Sequence, residues 1–370
     1  MLMHFLLINL LVIALQKENV YFTKTISSSN MVKLFKKLNV NLTGNVCLKV
    51  HSGEEGGQYF LRPDFLQEIY DYIKNGTFVE TNTAYNGGRN TTERHQNLLR
   101  ANGWLEGNRR MIIMDEKPEE DYVLNVTNYN MISKNYVGSH LKEFDSCLVL
   151  SHFKGHSIGG FGGALKQLSI GFASKQGKRY IHYAGGNSSA NQENFTAAMG
   201  DAASTIVNYF KSKGKIAFIN VMANISLRCD CAGGSAPAPK IHDMGILASL
   251  DPVALDKACL DIIKSHVDNG TEEWLKQLED KKGENTVFVS EQHGIGSQEY
   301  TLVDVDLDES SHGNDDLDNS TLIIIYTVYA FLLLLTIIGG LIFYKRRKKS
   351  SDKNLDEVLN ENENNENNQN

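Results

Sequence analysis

Residues 45–80, NVCLKVHSGEEGGQYFLRPDFLQEIYDYIKNGTFVE, contain one complete strand–helix–strand unit. The apolar run Asn45–Val50 predicts a buried strand, which a glycine-rich polar loop follows. A helix is predicted over Pro63–Lys74, because proline suits the first turn of a helix and apolar residues recur on one face. Thr77–Glu80 predicts the next strand. A strand, a helix and a second strand in this order are typical of a parallel β-sheet.

The same alternation continues along the chain. Further helices are predicted over Thr91–Ala101, Asn191–Lys211 and Asp251–Lys264, and further strands over Arg110–Met114, Cys147–Ser151 and Lys215–Met222. Asp251 is a suitable N-cap, with Pro252 as the first helical residue. We therefore predict an α/β fold, with a mainly parallel sheet covered by helices on both faces, plus one C-terminal transmembrane helix.

Both ends of the chain carry apolar segments. Phe5–Leu15, FLLINLLVIAL, is typical of a signal peptide, with an uncleaved anchor as the alternative. Leu322–Tyr344 contains 23 residues without a charge, which is long enough to span a bilayer. The basic residues Lys345–Lys349 follow directly and predict a cytoplasmic tail. The sequence thus predicts a single-pass type I membrane protein of the secretory pathway or the cell surface.

These segments divide the chain into five predicted parts. They are a signal peptide (1–16), an extracytoplasmic α/β domain (17–303), an acidic stalk (304–321), a transmembrane helix (322–344) and a tail (345–370). The tail is basic and then rich in Asn and Glu, so it is predicted to be disordered. The N-x-[ST] sequons predict a glycoprotein; they stand at Asn41, Asn75, Asn90, Asn125, Asn187, Asn194, Asn224, Asn269 and Asn319.

Composition excludes some classes of function. The net charge is −7 and no basic domain is present, so nucleic acid is not expected as a partner. The five cysteines are too few for a disulfide scaffold, and their odd number leaves at least one unpaired. The expected partners are the membrane, through one span, and a small anionic ligand.

Polar motifs follow the predicted strands. HSGEEGG, TNTAYNGGRN, SHFKGH and NISLRCDC each come after a strand, and carboxyl ends of parallel strands share one edge of a sheet. We predict a ligand site at this edge. The candidate ligand-binding residues are Lys49, His51, Asn82, Arg89 and Lys154. The alternatives are a solvated strand end for the first motif and a plain capped turn for the second.

The segment Ser151–His182 combines three histidines with a glycine-rich loop. Imidazoles beside flexible backbone suit an acid–base pair or a metal with an open position, and a desolvated lysine suits covalent catalysis. We therefore predict His156, Lys166 and His182 as catalytic residues. The alternative for each histidine is a structural role.

The pair Cys229 and Cys231 adds two thiols near the same edge. Together with His152 and His182 they are candidate metal ligands, with iron, nickel or zinc as the candidate metals. A strained disulfide and buried free thiols remain the alternatives. No CxxCxxC run is present, so the chain has no self-contained iron–sulfur cluster motif.

From about Val20 to Val305 the chain resembles the domain-of-unknown-function 362 family. The resemblance rests on four segments: KVHSGEEGG, ETNTAYNGGRNTTERH, FKGHSIGGFGGALKQLSIGFAS and CDCAGGSAPAPKIHDMGILASLDPVALDKACLD. Many members carry a ferredoxin-like insert, which implies an iron–sulfur or redox link. Residues Tyr183–Glu193 contain no cysteine, so the chain resembles the shorter members without the insert.

The spacing of His156, Lys166 and His182 is also similar to that in the N-terminal domain of the nickel-pincer lactate racemases. This resemblance implies that Lys166 tethers a cofactor, that His182 ligates nickel and that His156 acts as an acid or base. The racemases have a second catalytic histidine where Gly88 stands, so symmetric two-base racemisation is not implied.

Three hypotheses about function follow. In the first, the extracytoplasmic domain binds a metal or a metal-containing cofactor and does redox or acid–base chemistry on a small anionic substrate. In the second, the same edge of the sheet binds a small ligand without catalysis. In the third, the domain is a structural surface protein.

Overall fold

The computed structural model describes residues 17–228 and 230–307, without the side chains of residues 118 and 230–232. The segments expected to be the signal peptide and the transmembrane helix lie outside these ranges, as do the tail and most of the stalk. Among the helices of the described residues, none combines the length and the apolar character needed to cross a bilayer.

Twelve strands are found in the described residues. They are β1 (Glu18–Thr23), β2 (Val46–Lys49), β3 (Gly76–Glu80), β4 (Met111–Ile113), β5 (Tyr122–Asn125), β6 (Lys134–Val137), β7 (Ser146–His152), β8 (Lys154–His156), β9 (Gly160–Gly162), β10 (Ile216–Met222), β11 (Gly245–Ser249) and β12 (Tyr300–Asp304). Eight of them form one sheet in the order β12-β1-β11-β10-β7-β2-β3-β4. The hairpins β5-β6 and β8-β9 lie outside it.

Helices connect and cover these strands. They are α1 (Ser28–Lys37), α2 (Gln67–Tyr72), α3 (Thr92–Ala101), α4 (Ala164–Lys166), α5 (Lys175–His182), α6 (Gln192–Lys213), α7 (Pro252–Ser265), α8 (Thr271–Asp280) and α9 (Glu284–Gln292). A π-helical turn over Gln167–Gly171 continues α4, and a 3-10 turn over Pro63–Leu66 precedes α2.

The large sheet is mainly parallel, as predicted. β10, β7, β2, β3 and β4 pair in parallel along its length, whereas β11 is antiparallel to both of its neighbours. Every residue of β2, β7 and β10 is buried, which explains why these strands are read as continuous apolar runs rather than alternating ones. The predicted α/β class with a mostly parallel sheet is confirmed.

Alternate residues of the central strands face two separate cores. Cys147 and Val149 of β7 pack in a core that contains apolar residues of α6 and α7. Leu148 and Leu150 pack in the other core, with apolar residues of α1 and α2. Side chains of successive strand residues point to opposite faces, so both faces of the sheet are covered by helices.

Candidate functional site

The loops that follow β2, β3 and β7 lie at one edge of the sheet, because these strands are parallel neighbours. Together with the segment from β8 to α5 they surround a cavity of about 360 Å³, which we call the central pocket. Seven of the residues that the sequence predicts for the site line it: His51, Arg89, His152, Lys154, His156, Lys166 and His182. The three residues expected to be catalytic are thus placed in one cavity.

The hairpin of β8 and β9 brings two lysines together. Lys154 pairs with Gly162 across the hairpin, and His156 pairs with Gly160. A Cβ atom added at Gly162 would lie 3.7 Å from Cδ of Lys166 and 3.8 Å from Cγ of Lys154. The stems of both lysines therefore lie close to this glycine, and both residues line the central pocket.

A carboxylate from α7 fixes the start of α4. Asp256 accepts hydrogen bonds from the backbone N–H groups of Ala164 (2.8 Å) and Leu165 (2.9 Å) and from Nδ2 of Asn220 (2.7 Å). Burial raises the pKa of Asp256 to about 6, although these donors act in the opposite direction. Lys166 follows directly, so Asp256 determines where its side chain begins.

Backbone contacts define the protonated nitrogen of two histidines. Nδ1 of His156 accepts hydrogen bonds from the N–H groups of Ile158 (3.3 Å) and Gly159 (2.9 Å), so the neutral ring carries its proton on Nε2. Nε2 of His152 donates to the carbonyl oxygen of Ala223 at 2.6 Å, so its lone pair is on Nδ1. The N–H bond of the neutral His156 ring is therefore on the side opposite to this turn.

His182 is the last residue of α5 and stacks on Phe195, with ring centroids 4.5 Å apart and planes inclined by 9°. Burial, helped by the nearby basic groups of His156, Lys166 and Lys178, lowers the pKa of His182 to about 4. The ring is thus neutral at pH 7. Within the described part of the chain, its nitrogens have no hydrogen-bond partner and remain available to a ligand.

A buried ion network forms the wall between β2 and β3. Oε2 of Glu80 is 3.0 Å from Nζ of Lys49, and its Oε1 is 2.7 Å from Nη1 of Arg89. Glu54 binds the other side of Arg89, with Oε1 3.0 Å from Nε. Burial alone would raise the pKa of Glu80, but the charges of Lys49 and Arg89 outweigh it and hold that pKa well below its usual range. Arg89 is therefore balanced by two carboxylates.

The charges that line the central pocket are unequal. Among the described residues, its lining includes one carboxylate, that of Glu80, and four basic side chains: Arg89, Lys154, Lys166 and Lys178. Glu80 is already engaged in the ion network. The cavity therefore favours an anionic ligand.

A family model described as "Domain of unknown function (DUF362)" matches residues 46–261, which is more than half of the chain. The chain belongs to the DUF362 family. No curated protein matches it. The sequence-based assignment to this family is confirmed.

Two solved structures resemble this DUF362 protein. A Thermotoga maritima protein from a structural genomics programme shares 12% identity with a TM-score of 0.40, over 72% of this chain and 58% of that one. The lactate racemase apoprotein from Thermoanaerobacterium thermosaccharolyticum shares 18% identity with a TM-score of 0.37, over 54% and 50%. The chain thus spans 58% of the first protein and half of the second, and likeness at this level assigns no role to its residues.

Two residues expected to bind the ligand lie behind the wall of the central pocket in this DUF362 protein. Lys49 is fully buried, and its Nζ donates to Glu80 and to the carbonyl oxygen of Val50. Asn82 is also buried, and its Nδ2 donates to Oγ1 of Thr92 (3.1 Å). Both order the edge of the sheet rather than face the cavity, because their polar atoms are used within the protein.

The metal site expected from the sequence is not assembled by the described residues. They contain no group of three His, Cys, Asp or Glu side chains placed to hold a metal ion. Nε2 of His152 donates to the carbonyl oxygen of Ala223 and therefore has no lone pair to offer a metal ion. Cys229 and the side chain of Cys231 lie outside the described part of the chain. Their role as ligands stays a prediction.

Two charged lining residues were missed at the sequence level. Glu80 ends β3, and Lys178 stands on α5. The available signal for Lys178 was its position four residues before His182, which places both on one face of a helix. For Glu80 it was the position at a strand end, next to the motif that contains Arg89.

Proposed function

We propose that the central pocket binds a small organic anion and transfers a proton to or from it. The observation that carries this proposal is Lys166. Its half-buried side chain lines the cavity, and within the described residues its ammonium group has neither an ion pair nor a hydrogen bond. A charge in that position is stabilised by an anion in the cavity.

The walls fit an anion with a carbon skeleton. The stems of Lys154 and Lys166 both lie close to Gly162, and we assign one carboxylate or phosphate group of the ligand to both ammonium groups. Ile158, Ile170 and Phe195 supply apolar surface to the same cavity. A site with apolar walls and a few convergent polar groups is typical of pockets for small organic ligands.

Two imidazoles supply complementary proton chemistry. His156 presents an N–H group, because its other nitrogen accepts backbone hydrogen bonds. His182 is neutral at pH 7 and presents a lone pair. A bound anion next to His182 would raise its pKa and make it a stronger base. We assign proton donation to His156 and proton acceptance to His182.

A direct binding experiment tests the proposal. Lactate, acetate and inorganic phosphate are titrated into the purified full-length protein, and binding is measured by calorimetry and by the shift in melting temperature. In Lys166→Met, affinity for the bound anion falls at least about tenfold, corresponding to a loss of ~1.4 kcal/mol. Lys211→Met removes one exposed lysine far along α6 and leaves the affinity unchanged.

The experiment has a clear negative outcome. If none of the three anions binds to the wild type, or if Lys166→Met binds as well as Lys211→Met, the central pocket is not an anion site. Binding without any exchange of the lactate α-hydrogen for solvent deuterium would leave the site as a binding module, the second hypothesis from the sequence.

We also propose that the domain lies outside the cytosol and is anchored by the segment 322–344. This proposal rests on the sequence pattern of the two apolar segments and on the sequons. It concerns the location of the site and is independent of its chemistry.

A further inference from the structure

Lys178 lines the central pocket, as Lys166 does, but its side chain is almost fully buried. It lies on α5, one helical turn before His182, and it is 7% exposed. The sequence-based prediction of covalent chemistry was directed at Lys166, which is half-buried. The structure indicates that Lys178 is better suited to such chemistry.

Two acceptors use the N–H bonds of this amine. Nζ of Lys178 donates to Oγ1 of Thr81 (2.5 Å) and to the carbonyl oxygen of Ala173 (2.6 Å). The hydroxyl of Thr81 donates its own hydrogen to the carbonyl oxygen of Gly171 (2.9 Å), so Oγ1 can only accept from the lysine. A neutral amine has two N–H bonds and one lone pair. When both N–H bonds are held in this way, the lone pair is left for the cavity that Lys178 lines.

The surroundings also favour the neutral amine. Burial lowers the pKa of Lys178 to about 7. The carboxylates of Asp115 and Glu80 oppose this change, whereas the charges of Lys49 and Arg89 add to it. About half of the molecules therefore carry a nucleophilic amine at neutral pH, which an ordinary surface lysine does not.

We propose that Lys178 forms an imine with the carbonyl carbon of a small 2-oxo acid bound in the central pocket. The proposal rests on the proposed function, because Lys154 and Lys166 would hold the carboxylate while Lys178 reaches the adjacent carbonyl group. A cavity of about 360 Å³ accepts an acid of this size.

The step is balanced without any further reagent. The lone pair of Nζ forms a bond to the carbonyl carbon, and the carbonyl oxygen becomes a hydroxyl group. The C–O bond then breaks, and the oxygen leaves as water together with the two hydrogens of the amine. Solvent then protonates the imine nitrogen. The new N–H bond donates to one of the two acceptors, Oγ1 of Thr81 or the carbonyl oxygen of Ala173.

Reductive trapping tests this inference on the wild-type, full-length protein. Pyruvate is the probe, and sodium borohydride delivers hydride to the imine carbon to give a stable secondary amine. Peptide mass spectrometry then locates the adduct. We expect one reduced pyruvyl group, on Lys178. Lys178→Met loses the adduct, whereas Lys175→Met, a control on the same helix whose lysine is not part of the lining, keeps it.

The outcomes separate this inference from the proposed function. If pyruvate and lactate both raise the melting temperature but no adduct forms on Lys178, the imine is excluded and the anion site stands. If acetaldehyde, which has no carboxylate, traps on Lys178 as efficiently as pyruvate, the imine stands and the anion site fails. Adducts on Lys166, or spread evenly over exposed lysines such as Lys211, overturn the inference.

Discussion

Lys178 illustrates at the residue scale how burial turns an ordinary lysine into a group that titrates near neutral pH. In the unfolded chain a lysine titrates near 10.4, whereas burial lowers the pKa of Lys178 to about 7 in the fold. At a pH between these two pKa values, the unfolded chain binds more protons than the folded one. Stability therefore rises with pH through this window, and the cost of the buried charge is fully present below pH 7.

Replacing Lys178 by methionine is expected to remove this pH dependence. The group contributes up to about 1.4 kcal/mol of unfolding free energy for each pH unit between about 7 and 9 in the wild type. Urea unfolding of Lys178→Met and of the wild type across this range measures the difference in slope. Lys175→Met controls for the loss of one lysine from α5. Equal slopes for Lys178→Met and the wild type would show that Lys178 stays charged in the folded protein at pH 9.

The sequence predicted the convergence of residues better than the role of each one. The histidines and the glycine-rich loop of Ser151–His182 were enough to predict that His156, Lys166 and His182 share one site. Lys49 and His51 were both predicted to bind the ligand, but β2 ends at Lys49, and only His51 lines the pocket. The environment of Lys178 depends on Thr81, which is 97 residues away, and local sequence carries no signal of such a contact.

At the scale of elements, the short helix α4 is held in place because its first residues pack closely against α7. A Cβ atom added at Gly163 would lie 2.4 Å from Oδ1 of Asp256, which is far inside a normal contact. The backbone at Gly163 is extended, so the requirement for glycine here is space and not backbone conformation. The same approach lets Asp256 accept the hydrogen bonds of Ala164 and Leu165.

Gly163→Ala is therefore expected to displace Asp256 and to shift the start of α4. Crowding of this kind costs about 1–3 kcal/mol of stability, and anion affinity falls because Lys166 moves with the helix. Thermal unfolding and calorimetry measure the two effects. Gly87→Ala is the matched control, because a Cβ atom there meets its nearest neighbours at 3.8–4.0 Å. If the anion affinity of Gly163→Ala is unchanged, the contact with Asp256 does not position Lys166.

Helices whose first turn is capped by a nearby side chain were predicted closely from the sequence. Strands that pair with distant parts of the chain were not. Asp251 accepts from the N–H groups of Val253 and Ala254, and Asn191 accepts from Asn194, so both predicted helix starts have local caps. In contrast, β1, β11 and β12 were missed. β1 pairs with β12, which lies more than 270 residues further along, and its short sequence is stabilised by that pairing rather than by its own pattern.

At the scale of the whole molecule, the two ends of the described domain meet in the sheet. β12 pairs in parallel with β1, and Asp306 accepts hydrogen bonds from Oγ1 of Thr23 (2.8 Å) and from the backbone N–H group of Lys24 (3.0 Å). The folded unit therefore continues past Val303, where the sequence placed the start of the stalk. The contacts of Asp306 lie near the end of the described residues, before the segment that we propose leads to the membrane.

The proposed location predicts a pattern of glycosylation. Five of the sequon asparagines in the described residues are exposed: Asn41, Asn75, Asn125, Asn187 and Asn269. Asn90 is only partly exposed, its carbonyl oxygen accepts from Nζ of Lys175 (2.7 Å), and its Nδ2 donates to Asn86 (3.3 Å). If the domain folds in the secretory pathway, the exposed set carries glycans and Asn90 carries none.

Expression of the full-length chain in eukaryotic cells tests this pattern by mass spectrometry of peptides before and after enzymatic removal of N-glycans. Asn41→Gln and Asn269→Gln are each expected to remove one glycan without changing anion binding, because both side chains are exposed and neither lines the central pocket. A full-length chain without a glycan at any exposed sequon would place the domain on the cytosolic side. A glycan on Asn90 would show that this sequon is modified before α5 packs against it, since a folded domain holds its amide in hydrogen bonds.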